Sequence, residues 1–146
     1  MPNLLKLSFA LILCLFLSLS GCSESPYVEF YSYHELMEYE FFSHGWFPGI
    51  LKEDAFAIKE TYDVGSQHAF GQFEFKKLEL YEAELSKCLP VVSGLVLDKI
   101  EKIKRPALPK WFVPKDSIAN GKYLLLQQGD FYLITEKNAY RIYFFR

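Results

Sequence analysis

The feature that most constrains this 146-residue chain is Leu19-Ser20-Gly21-Cys22, which closes an apolar run from Leu7 to Leu19 behind a short polar start carrying Lys6. A charged start, an apolar middle and small residues before a cut are the parts of a secretory signal, which is removed from the mature protein. The apolar run, about a dozen residues, falls short of the roughly 20 that a helix needs to cross a bilayer. Taking Cys22 as the first mature residue leaves 125 residues to fold, which suits one compact domain. Of the three cysteines, Cys14 leaves with the signal and Cys22 sits at the cut, so Cys88 is alone and no internal disulfide can form. Stability must come from the core, and aromatic residues, 18% of the chain, supply large buried areas for it.

A leucine three places before a cysteine, with Ser20 and Gly21 between, resembles the bacterial lipoprotein signal. The resemblance implies a diacylglyceryl group on the Cys22 thiol, cleavage between Gly21 and Cys22, and acylation of the new amine, palmitate being an expected chain. Each buried methylene contributes about 0.8 kcal/mol, so two or three chains hold a protein durably where one does not. The expected location is the cell envelope. Ser23, rather than an aspartate, after the cysteine resembles the pattern sent to the periplasmic side of the outer membrane in a Gram-negative host. A Gram-positive host would keep the protein on the outer leaflet of its cell membrane.

The domain boundaries expected are a signal over 1–21, the lipidated cysteine and a tether over 22–31, and one α+β domain over 32–146. Ser32 reads as a helix cap, with Glu35 completing a capping box and Tyr33, Leu36, Met37 and Phe41 forming the buried stripe. Gly45 suits a left-handed stop. A helical turn over Glu53–Phe56 and a strand over Ala57–Tyr62 lead into a hairpin through Asp63–Gln67. In the return strand Ala69, Gly71, Phe73 and Phe75 share a buried face, and Phe70, Gln72 and Glu74 a mostly wet one. Lys77–Leu89 reads as a helix ended by Pro90, with Cys88 as a small core residue. Val91–Leu97 reads as a buried strand, and Lys99–Arg105 with the proline-rich 106–114 as a long connection. Lys122–Gln127, Phe131–Thr135 and Ala139–Phe145 read as a β-meander. The fold class expected is an antiparallel sheet, hairpin plus carboxyl-terminal meander, with about two helices packed on it. Trp46-Phe47-Pro48 before Lys52-Glu53-Asp54-Ala55 is echoed faintly by Trp111-Phe112-Val113-Pro114 before Lys115-Asp116-Ser117-Ile118.

The helix ending in Gly45-Trp46-x-Pro48, then Ile50-Leu51, Ala55, Ile58, Tyr62-Asp63 and Phe73-x-Phe75, resembles small bacterial lipoproteins with a YbbD-type head domain. The likeness covers roughly residues 32 to 75. It implies a fold and a location and carries over no catalytic residue. Lys52-Glu53 stands where that group is expected to have a proline-containing turn, and Gly65-Ser66 where it is expected to have Thr-Asn.

Charge is uneven: residues 22–66 hold nine acids against Lys52 and Lys59, net −7, while 67–146 hold nine acids against thirteen bases, net +4. Two solvated surfaces of opposite sign, or a polar partner interface, follow. Location and overall acidity argue against nucleic acid. His34 and Glu38 share a helix face, but two ligands do not make a zinc site, and His-Glu-x-x-His and paired-cysteine spacings do not occur. No Gly-x-Ser-x-Gly elbow and no glycine-rich phosphate loop occurs. No cofactor, metal or catalytic residue is therefore assigned, and the chain does not read as an enzyme. In the last strand Tyr140, Ile142 and Phe144 share one face and Arg141, Tyr143 and Phe145 the other. Either the strand is sandwiched, or Arg141, Tyr143 and Phe145 form a protein interface. The role expected is a lipid-anchored, non-catalytic module binding a protein or envelope component. An immunity-type lipoprotein against an envelope-acting toxin and a small envelope hydrolase are the alternatives.

Overall fold

The computed structural model describes residues 25–39, 44–136 and 139–146. The signal, Gly21, Cys22 and Phe41 lie outside these. Seven strands form one antiparallel sheet in the order β1-β2-β3-β7-β6-β5-β4. They are β1 (Tyr27–Ser32), β2 (Phe56–Asp63), β3 (His68–Glu74), β4 (Leu89–Pro90), β5 (Tyr123–Gln128), β6 (Phe131–Glu136) and β7 (Arg141–Phe145). Four helices are described: α1 (Tyr33–Glu38), α2 (Leu78–Leu85), α3 (Ser93–Lys102) and α4 (Lys115–Ala119). The expected α+β class, hairpin and meander are all present.

Ser32 caps α1 as its sequence demands, its Oγ accepting from the Glu35 N–H at 3.2 Å. The Glu35 carboxylate reaches back to the N–H of Tyr31, at 2.7 Å, one residue earlier than a standard capping box. The helix is short and buries only Leu36, while Met37 is exposed, so the four-residue stripe expected here is not formed. Upstream, the tether expected up to residue 31 gives way to β1, because Val28 and Phe30 alternate onto the core and the backbone of Tyr27–Ser32 pairs with β2. The turn at residues 53–54 is not helical. In the hairpin, Asp63 Oδ2 accepts from the Ser66 N–H at 2.7 Å, and the left-handed residue is Gln67 rather than Gly65.

The largest departure concerns the second face of the sheet. Phe70 and Gln72 are buried, not wet, because residues 91–122 form a second covering layer. Val91–Leu97 is not a strand: Ser93–Lys102 is helical, with Val96 and Ile100 one turn apart and buried. The expected helix up to Leu89 stops at Leu85, and Leu89-Pro90 becomes an edge strand on β5. Pro90 is tolerated there because an edge position leaves one side of the backbone unpaired.

The sheet thus separates two cores. One gathers Phe47, Ile50, Ile58, Phe73, Tyr81 and Phe144 under α1, α2 and the 44–55 segment. The other gathers Phe70, Phe112, Ile118, Ile134 and Phe145 under α3, α4 and the 103–114 segment. The element order repeats: strand, helix, Trp-Phe, hairpin occurs as β1-α1-Trp46-Phe47-β2-β3 and again, with α4 added before the hairpin, as β4-α3-Trp111-Phe112-α4-β5-β6. The two triplets flank β7 with their covers on opposite faces, as a half-turn about β7 would place them.

Gly71 lies opposite Phe144 across β3 and β7, and a Cβ at Gly71 would run into the Phe144 ring. That ring also meets Phe47 at 5.8 Å and Phe131 at 5.9 Å, so it has nowhere to retreat. Gly71→Ala is expected to cost about 1–3 kcal/mol through overpacking. Chemical denaturation should show this, and trimming the ring in Gly71→Ala/Phe144→Leu should recover part of it.

Candidate functional site

The strand proposed from sequence as an interface lies in the middle of the sheet. Phe145 is 1% exposed, stacked on Tyr132 at 5.0 Å and faced by Phe112 at 6.4 Å, so it is no surface contact. Tyr143 is half-buried beneath Phe112, with ring centroids 5.6 Å apart. The Arg141 Nε donates to Glu74 Oε1 at 3.0 Å and its Nη1 to the Tyr143 hydroxyl at 3.2 Å. These bonds hold the guanidinium in its charged form. Arg141 is therefore a cross-strand brace between β3 and β7, and the sandwiched alternative holds.

The side chains with chemical potential are dispersed. His34 Nε2 and Glu38 Oε1 lie 3.3 Å apart, both well exposed, and no group of three His, Cys, Asp or Glu that could hold a metal occurs among the described residues. Cys88 is buried with its thiol donating to the Glu84 carbonyl at 3.4 Å. Burial, and then the Glu84 charge, push its pKa up, the reverse of an activated thiolate.

Grooves open on both faces. On the first face, α2 has one on each flank. An apolar groove of about 450 Å³ runs between α2 and β5–β6, walled by Phe75, Leu78, Leu85, Cys88 and Leu126 with Glu136 at its rim. A second, of about 400 Å³, is lined by Tyr33, Lys52, Glu53, Leu80 and Glu84. Its edge is set by the Lys52–Glu84 ion pair at 3.6 Å and by the Lys52 N–H donating to the Tyr81 hydroxyl at 3.3 Å. On the second face, a groove of about 560 Å³ brings Ser25 and Tyr27 against Lys104, Arg105, Leu108 and Lys110. Residues 25–27 and 104–110 are remote in sequence, so periodicity and spacing could not have revealed it.

The opposite-sign halves of the sequence become opposite-sign faces. Among the described residues, the segments covering the first face (33–39, 44–55 and 75–88) carry seven acids and four bases, and those covering the second (91–122) carry seven bases and three acids. Exposed Met37, Tyr39 and Leu80 sit on the acidic cover.

The segment that builds β1, α1, the Trp46-Phe47 turn, β2 and β3 is the part of the chain that is similar to a known domain family. Residues 24–74 match the family model of the YbbD head domain. This head-type unit begins earlier than the Trp-x-Pro signal suggests, since it includes β1, and it ends with β3. The remaining strands complete its sheet through β7. Neither a curated protein nor a solved structure matches the chain. Within the head-type unit, Gly45 adopts a φ of 71°, and its carbonyl accepts from Arg146 Nη1 at 2.8 Å. Arg146 in turn lies over Trp46 and Phe131, at 5.6 and 5.5 Å from their ring centres. The last residue of the chain thereby clamps the Gly-Trp turn.

The head-type unit also buries a carboxyl. Glu60, central in β2, is 0% exposed and neither oxygen has a hydrogen-bond partner among the described residues. Burial raises its pKa well above the usual carboxylate range, opposed only in part by the Arg146 charge. A native pKa above the unfolded one means that the folded state holds the extra proton. Stability from Glu60 is then full below the unfolded pKa and falls as pH rises through the native one. Urea titrations at acidic and at mildly alkaline pH should show Glu60→Gln gaining on the wild type as pH rises. A difference that stays constant with pH would contradict the buried neutral carboxyl.

Proposed function

We propose that this is a lipid-anchored protein of the cell envelope, tethered through Cys22, that works as a non-catalytic module binding a protein partner. The YbbD head-domain match over residues 24–74 supports an envelope-associated protein, and the Leu19-Ser20-Gly21-Cys22 pattern supports the anchor. The observation that carries the binding role is the first face of the sheet: a net acidic cover with Met37 47%, Tyr39 56% and Leu80 39% exposed beside the groove between α1 and α2. Large exposed side chains amid a net negative charge suit a partner surface that is apolar at its centre and basic at its rim. The acids would steer encounter and the apolar groups would hold the complex.

A photo-crosslinking residue placed at Leu80 in the tagged full chain tests this in living cells. A second at Val64, more exposed than Leu80 but on the β2–β3 hairpin, is the control. A discrete protein adduct at position 80, absent at 64 and lost on Met37→Glu, is the expected result. The same adducts at both positions, or none at 80, would overturn it.

A further inference from the structure

We propose that the basic groove on the second face is a docking site for the anionic headgroups of the membrane that holds the anchor, setting the domain's orientation on it. The proposal rests on lipidation of Cys22 and adds to it a second point of contact. Four observations converge on it.

The first is where the described chain begins. Ser25 lines the groove, and only Ser23 and Glu24 stand between it and Cys22, so three residue steps give a reach of at most about 11 Å of extended chain. Lipid on Cys22 therefore brings the groove to within roughly one Debye length, 8–10 Å, of the surface. The acidic cover lies beyond the sheet and a helix layer, each roughly 10 Å thick, where the surface potential is screened.

The second is charge. Residues 99–115 hold six bases against Glu101 alone. Lys102 pairs with Asp98 at 2.7 Å and Lys115 with Glu101 at 3.5 Å, outside the groove. Lys104, Arg105 and Lys110 line it, and no carboxylate is among its lining residues. Phosphate esters are the complement of such a wall.

The third is the apolar component. Leu108 is 39% exposed between the two lysines, where its side chain can enter the headgroup layer. Tyr27, half-exposed, and Trp111 flank it with amphipathic rings of the kind that settle at membrane interfaces. The fourth is rigidity. Phe112 and Val113 pin the segment to the second core, and the Ser66 hydroxyl donates to the Arg105 carbonyl at 2.9 Å. The groove is thus presented by a fixed frame.

The test uses the full chain processed in a bacterial host. Mass spectrometry of the product reads acylation of Cys22 separately. In a Cys88→Ala background, a fluorophore on Leu108→Cys reports proximity to spin-labelled headgroups. The vesicles are of phosphatidylcholine alone or of an equal mixture with phosphatidylglycerol. Each lysine near an anionic surface contributes about fivefold in affinity, so strong quenching on the mixed vesicles should fall about tenfold or more in Lys104→Glu/Lys110→Glu and in high salt. An acylated protein whose quenching ignores lipid charge and the double reversal overturns the groove and leaves the anchor intact. A product without acyl groups overturns the anchor, and the quenching measurement, repeated with Cys14→Ser and Cys22→Ser so that position 108 alone carries the label, then decides the groove alone. Quenching that needs phosphatidylglycerol and both lysines supports the groove, and its absence overturns it.

Discussion

Everything in this molecule depends on the last strand in the chain pairing in the middle of the sheet. β7 bridges β3 and β6, so among the described residues it is the strand through which the two triplets pair into one sheet. Its alternate side chains enter both cores: Ile142 and Phe144 on one face, Tyr143 and Phe145 on the other. Gly71 opposite Phe144 makes room for one ring, and Tyr132 stacks on Phe145 to fix the next. Beyond the strand, Arg146 exchanges backbone bonds with Ala69 at 3.1 and 3.3 Å while its guanidinium holds Gly45 and Trp46. The head-type unit therefore acquires its neighbour, its turn clamp and part of its core from residues at the far end of the sequence.

That arrangement explains what could be read from sequence and what could not. Local signals held: the Ser32 cap, the left-handed Gly45, the hairpin into β3 and the three strands of the meander are each set by a few adjacent residues. The wet face assigned to Phe70 and Gln72 failed because alternation reports which residues share a face, and not whether a second layer covers it. That layer was hidden in residues 91–102, where the β-branched Val91 and Val92 favour a strand and, despite Ser93-Gly94, outweigh the helical spacing of Val96 and Ile100. β1 was obscured by its weak alternation, with only Val28 and Phe30 pointing inward. Among candidate site residues, the aromatic pattern of Tyr143 and Phe145 is one that a sandwiched strand and an interface share, and only the position of β7 separates them. The lysines of the 99–115 segment were legible as charge, but their meeting with Ser25 and Tyr27 is a product of the tertiary fold.

The repeated order of strand, helix, Trp-Phe and hairpin gives the domain its polarity. Each half places its cover on the opposite face, and the covers differ in charge. One is net acidic with exposed apolar side chains, the other basic beside Ser25. On the proposed reading, one half addresses the membrane and the other a partner, and the shared strand β7 keeps the two faces in fixed relation.

The central claim, that β7 is the element on which both halves depend, is tested most directly by native-state amide hydrogen exchange resolved along the chain. Amides of Ile142–Phe145 should fall among the slowest of all, exchanging only through global unfolding together with those of β3 and β6, while β1 and β4 open locally at the edges. Exchange from β7 as fast as from β1 would mean that the two halves are stable without it and would contradict the account.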